Sequence, residues 1–196
     1  DSLVRPEVIE RLANEGRLKS DDHPQGVAPG EAAAFLVLEA RPAHTPLAWV
    51  TGTGLAEEPT AGTDDANEGV GLTRAIRAAR AATGSQHPAH FPRVLCDLNG
   101  DRYRAMEWAY ALIRALPDLK QDKRSVPLGP EETERWHPAE YIGDVGAASA
   151  IVNAIWAVTA MQKGYACIDD ALLWGASEGR LRGAAFLTVR GARERS

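Results

Sequence analysis

Residues 145–163 constrain this fold more than any other stretch. Read as a helix, they carry Ile151, Val152, Ile155, Trp156, Val158 and Met161 in nearly every direction around the axis. A helix that is apolar all round is buried in a core and does not lie on a surface. The small residues at its start (Gly146, Ala147, Ala148, Ser149, Ala150) allow close backbone contact. Such a helix needs sheets or helices on both sides, hence more than three layers. A chain of 196 residues hardly supplies them alone. A further part of the fold, or a second subunit, is expected to cover it.

The remaining pattern is one of strands alternating with helices. Pro6 suits a first helical turn, Val8, Ile9, Leu12 and Ala13 share a face, and Gly16 marks a stop, so residues 6–17 read as a helix. Residues 32–39 (AAAFLVLE) are an apolar run bounded by turn signals and read as a buried strand; residues 47–55 (LAWVTGTGL) read as a second strand, antiparallel to the first. Gly52 and Gly54 in the second suggest a bulge or a close backbone approach. A helix is expected over 68–83, with Leu72, Ile76 and Ala79 on one face and Arg74, Arg77 and Arg80 on another. A short strand over 94–98 follows, ending at Asn99-Gly100, then a helix over 103–116 stopped by Pro117. The stretch 118–138 is polar, with a short apolar piece at 125–128. Two strands, 171–175 and 184–189, close the chain. The order indicates a layered α/β architecture.

Composition narrows the function classes. A net charge of −5 excludes a nucleic-acid footprint of the basic-patch kind. No apolar run reaches the roughly 18–20 residues a membrane-spanning helix needs. The start, Asp1-Ser2-Leu3, has no basic segment leading into an apolar stretch, so no signal peptide is expected. Two cysteines, Cys96 and Cys167, are too few for a disulfide scaffold, and a reducing cytoplasmic setting fits them. The five histidines show no metal-ligand spacing, so neither metal nor cofactor is expected. Gly52-Thr53-Gly54 lacks the third glycine and the following helix of a dinucleotide fingerprint.

Three segments carry a family resemblance. Residues 26–39 (GVAPGEAAAFLVLE) resemble the ketosynthase segment GFVPGEGAAALVLE, residues 143–150 (GDVGAASA) resemble its helix entry GHLLGAAGA, and residues 174–179 (WGASEG) with 184–189 (AAFLTV) stand where that family has its Gly-rich loop and last strand. By these the chain resembles the C-terminal portion of a β-ketoacyl-[acyl-carrier-protein] synthase. The resemblance implies a thiolase-like layered αβαβα fold, represented by its C-terminal half plus the last β-hairpin of the N-terminal half. Residues 1–57 would be the tail of the first half and residues 58–196 the second. The family's nucleophilic cysteine would lie in the first half, before this chain begins, and would be neither Cys96 nor Cys167.

The chemistry depends on what stands at the family's positions. Decarboxylating condensation needs a cysteine to carry the acyl chain and two imidazoles to stabilise the developing enolate. Asn99 occupies the position of the histidine in the family's HGT motif, Asp144 that of the histidine in its GH motif, and Ala139 that of a lysine five residues earlier. Asn99 retains an amide donor. Asp144 would repel a developing oxyanion and suits a helix cap. Ala139 supplies nothing. Glu107, on the helix after Asn99, is either a supporting group that orders the active-site loop or an exposed helix acid. His137 reads as a surface-loop histidine. The arginine stripe Arg74, Arg77 and Arg80 reads as a solvated helix face or, alternatively, as a contact for an acidic carrier protein, with Arg180 and Arg182 as weaker candidates.

The expected function is that of a ketosynthase-like protein of fatty-acid or polyketide-type metabolism without normal condensing activity. The fragment by itself is expected to be inactive. The alternatives are an acyltransferase of altered chemistry using a cysteine in the N-terminal half, and a non-catalytic dimer partner or interaction module. Expected partners are acyl carrier protein or an acyl-CoA thioester, the N-terminal half, and a second subunit in a homodimer or heterodimer.

Overall fold

A computed structural model describes residues 1–84, 93–116, 135–166 and 169–189. Five strands form one sheet in the order β1-β5-β4-β2-β3: β1 is Trp49–Glu57, β2 Arg93–Cys96, β3 Arg135–Trp136, β4 Asp170–Ala176 and β5 Leu181–Thr188. β5 runs antiparallel to both neighbours, while β4, β2 and β3 are parallel. The helices are α1 (Pro6–Asn14), α2 (Val70–Ala82), α3 (Arg102–Ala115), α4 (Ala139–Ile142) and α5 (Ser149–Gln162), the last preceded by a 3-10 turn at Gly146–Ala148.

α2 and α3 cover one face of the sheet. Leu72, Ile76, Val94, Trp108, Leu172 and Phe186 meet there in one buried cluster, and the rings of Trp108 and Trp174 stack at 5.5 Å. The two glycines in β1 do what their sequence suggests. The register shifts between Val50 and Gly52, and a Cβ at Gly52 or Gly54 would collide with backbone atoms of α2, at Ala79 and at Ala75. α5 lies on the opposite face with Leu95, Ala154, Ala157, Ala160, Met161, Leu173 and Leu187. The result is three layers, helix on sheet on helix.

One expectation fails. Residues 32–39 form no strand and make no hairpin with β1. β1 pairs with β5 instead, from Trp49 opposite Thr188 to Glu57 opposite Leu181. An apolar run becomes a strand only where a neighbouring strand accepts its hydrogen bonds, and among the described residues none lies beside this one. Phe35 is 87% exposed and Val37 88%. The segment consequently carries its apolar residues on the surface. β1, read as the close of the earlier half, lies at the edge of the sheet that the later strands build.

The described residues do not bury the helix at 149–162 all round. Ile155 is exposed and Ile151, Val152, Trp156 and Val158 are half-buried, because only one side of α5 meets the sheet. β3, a two-residue strand, was not anticipated, and the apolar piece at 125–128 lies outside the described residues.

Candidate functional site

β2 ends three residues before Asn99, and Gly100, at φ +95°, turns the chain into α3. Asp101 caps that helix by accepting from the Tyr103 backbone N–H at 2.8 Å. These turns aim Asn99 inward, where its Nδ2 donates to Asp144 Oδ2 at 2.5 Å and its Oδ1 accepts from the Asp101 backbone N–H at 3.0 Å. The two positions read as the sites of the family's imidazoles therefore touch, and both side chains are buried. Asp144 Oδ1 accepts from the Gly146 N–H at 2.8 Å, so the carboxylate also caps the turn that opens α5. Its main chain binds on both sides to the segment before it in space: the Asp144 N–H donates to Ala28 O at 2.7 Å and the Gly30 N–H donates to Asp144 O at 2.8 Å.

Four charged residues that the sequence reading did not single out complete the site: Arg104, Asp97, Arg17 and Glu178. Arg104, on the inner face of α3, lies 3.0 Å from Asp97 Oδ2, 3.3 Å from Glu178 Oε1 and 3.9 Å from Asp144 Oδ2. Asp97 also accepts from the Ala176 N–H at 3.1 Å. Burial pushes the Asp97 carboxyl up to about 6, with Arg104 opposing and Asp144 adding to the shift. Arg17 reaches Asp101 at 2.8 Å and Glu178 at 3.0 Å. The hydrogen bond from Arg17 holds the Glu178 carboxyl below its ordinary value. One signal for Arg104 was available: it stands one helical turn before Trp108, on the same buried face of α3.

Glu107 is fully buried and so is not an exposed helix acid. Its carboxylate accepts from Arg182 Nε at 2.7 and 3.0 Å. Burial raises its pKa, and the Arg182 hydrogen bond opposes the shift. Arg182 Nη1 donates to the carbonyls of Ser177, Gly179 and Leu181, so the pair pins the β4–β5 loop that carries Glu178. Arg182 is 2% exposed, which removes it from any carrier-contact surface. Arg180 bonds to Glu58 O at 3.3 Å. Of the arginine stripe, Arg77 donates to Arg114 O at 2.7 Å and Arg80 to Ala115 O at 3.2 Å, securing α2 to the end of α3.

Two hollows flank Asn99. A cleft of about 970 Å³ runs from Asp97, Arg104 and Asp144 along the apolar wall formed by Leu36, Val50, Ile151 and Leu187. A smaller one, about 590 Å³, is lined by Asn99, Gly100, Ala139, His137 and Glu140. Ala139 opens α4 there and brings no polar group. His137 is not a free loop histidine: its Nε2 lies 2.5 Å from Glu140 Oε1. Cys96 is buried with its thiol pushed up to about 12, chiefly by burial, and is no nucleophile. Cys167 lies outside the described residues, as do His87 and His90. No described helix is long and apolar enough to cross a membrane.

The arrangement has definite chemical limits. With Nδ2 bonded to a carboxylate and Oδ1 to a backbone N–H, Asn99 has one amide proton left to offer. Asp144 has one carboxylate oxygen on the Asn99 amide and the other on the Gly146 N–H. No imidazole stands at either position.

No family model matches this chain, and no curated protein matches it. Solved structures do. The ishigamide ketosynthase/chain length factor superposes with a TM-score of 0.55 at 16% identity, over 74% of this chain and 38% of that one. A type II PKS acyl-carrier protein in complex with its ketosynthase bound to the hexaketide, AntDE:AntF (apo), superposes with a TM-score of 0.56 at 12% identity, over 73% of this chain and 38% of that one. The fold is thus the thiolase-like fold of ketosynthases, and this chain spans a little over a third of the length of those it matches.

Proposed function

We propose that this chain is the C-terminal part of a ketosynthase-like protein of polyketide or fatty-acid metabolism that has lost ordinary condensing activity. The observation that carries this reading is the buried hydrogen bond between Asn99 and Asp144. Two groups that a condensing enzyme would aim at a thioester are here spent on each other and on capping α5. The whole protein then serves as a non-catalytic partner in a dimer, as chain-length-factor subunits do, and acyl carrier protein or an acyl-CoA thioester is what it meets in the cytoplasm. On this reading Asn99, Asp144 and Ala139 are the degenerate remains of the His/His/Lys set. Glu107, with Arg182, still orders the loop beside them.

The full-length protein, incubated with acyl and malonyl thioesters, is expected to give no condensation product. Turnover at ordinary ketosynthase rates would overturn the proposal. One amide proton of Asn99 remains unbonded, and this favours a second reading: an acyltransferase in which Asn99 donates to the substrate carbonyl and an upstream cysteine carries the acyl group. An acyl-cysteine adduct seen by mass spectrometry, and lost in Asn99→Ala, distinguishes the two.

A further inference from the structure

We propose that the smaller hollow beside Asn99 binds the oxyanion group, phosphate or carboxylate, of a small molecule. Asn99 is the one lining residue that this hollow shares with the larger cleft, so the site stands apart from it. At about 590 Å³ the hollow has the capacity of a metabolite site.

The charge balance of the lining selects the ligand. Lys19 and Arg102 both line the hollow, and among the described residues neither is paired with a carboxylate. The two carboxylates in the lining are already engaged. Asp101 accepts from Arg17 and from the Tyr103 backbone N–H, each at 2.8 Å. Glu140 lies 2.5 Å from His137 Nε2. The hollow therefore carries an excess of positive charge in a chain whose net charge is −5. A cationic ligand would be repelled, and a neutral one would leave both cations unanswered.

The uncharged groups agree with this. Asn99 is 7% exposed and keeps one amide proton after its bonds to Asp144 and Asp101. His137 Nδ1 is enclosed and has no partner among the described residues. Buried hydrogen-bonding capacity costs stability until something satisfies it. An oxyanion accepts from the ammonium, the guanidinium and the amide, and from an imidazolium held between it and Glu140. An anion seated there takes the amide proton on which the acyltransferase reading relies, and leaves the first reading untouched.

Calorimetric titration of the full-length protein with inorganic phosphate and, separately, with acetate tests this, at constant ionic strength set with chloride. Saturable binding of at least one is expected, and the tighter of the two identifies the ligand as a phosphate or a carboxylate. Affinity is expected to fall roughly tenfold in Arg102→Gln and severalfold in Lys19→Gln. Both residues are exposed, and an unchanged Tm confirms folding. Arg74→Gln, on α2 and outside the hollow, is expected to change nothing. An equal loss in Arg74→Gln would reduce the effect to bulk charge and overturn the site. Binding that Arg102→Gln and Lys19→Gln leave intact, or no saturable binding of either anion, overturns it as well. Because no thioester enters the experiment, each of these outcomes leaves the proposed function standing.

Discussion

The two faces of the sheet handle large side chains in opposite ways. Where α2 and α3 pack, the large residues point inward: Leu72, Ile76, Trp108 and Phe186 are all but inaccessible. Where α5 packs, the inward residues are small, Ala154, Ala157 and Ala160, with Met161 the exception. Of the bulky residues of the same helix, Ile155 is exposed, Ile151 is half-buried, and Trp156 is half-buried at the margin of that cluster. An amphipathic helix closing a domain would do the reverse. Small residues let α5 lie close to the strands, and the large ones present an apolar surface that another layer would bury at about 1.5–3 kcal/mol for each side chain covered. Among the described residues the first face is finished, while the second leaves the outer side of α5 partly exposed.

The largest effects are expected on the finished face. Arg182→Met leaves the Glu107 carboxylate buried and unpaired and should cost about 3–5 kcal/mol, read from the denaturant midpoint. Trp108→Ala should cost about 3–5 kcal/mol by opening a cavity beneath α3. A loss under 1 kcal/mol for either would break the contrast between the faces. At the junction between them, Asp144→Ala strands the Asn99 amide and the Gly146 N–H and should cost about 1–3 kcal/mol.

A pH series on Asp97→Asn sharpens the electrostatic side of that junction. The Asp97 carboxyl titrates near 6 when folded, against about 4 in an unfolded chain, so the folded state binds the extra proton between those values. The wild-type advantage over Asp97→Asn is therefore greatest below pH 4 and shrinks as pH rises through 6. A difference that grows with pH would show that Arg104 outweighs burial. The smallest effect belongs to the unfinished face. Ile155→Ala should cost under 1 kcal/mol in this chain and about 2–5 kcal/mol in an assembly that covers α5, by the same denaturation measurement. Equal losses in both would mean that nothing further packs there.

How much of this the sequence disclosed depends on whether a residue's partners are near it in the chain. The strands at 171–175 and 184–189 and the helices over 68–83 and 103–116 were legible from period and turn residues, because those signals are local. The run at 32–39 misled, since an apolar segment reads the same whether or not a strand lies beside it. The meeting of Asn99 and Asp144 was legible only through the resemblance; nothing in their spacing of forty-five residues brings them together. Arg104 was missed and Arg182 was read only as a weak carrier contact, although each offered a cue. Both occupy core-facing positions, one on the Trp108 side of α3 and one in step with Ala184 and Phe186 along β5. An arginine at such a register implies a buried carboxylate partner, and Glu107 is the one Arg182 finds.

The glycines of β1 have a mechanical consequence. At Gly52 and Gly54 the helix α2 rests on the strand's main chain, with no side chain between them. Most seams in a protein absorb a change of shape by letting a rotamer swing. This one has none to swing, so a load on α2 passes undiminished into β1, and from there along its hydrogen bonds into β5. Helix and strand are obliged to travel as one rigid beam, and any motion of the domain has to hinge elsewhere.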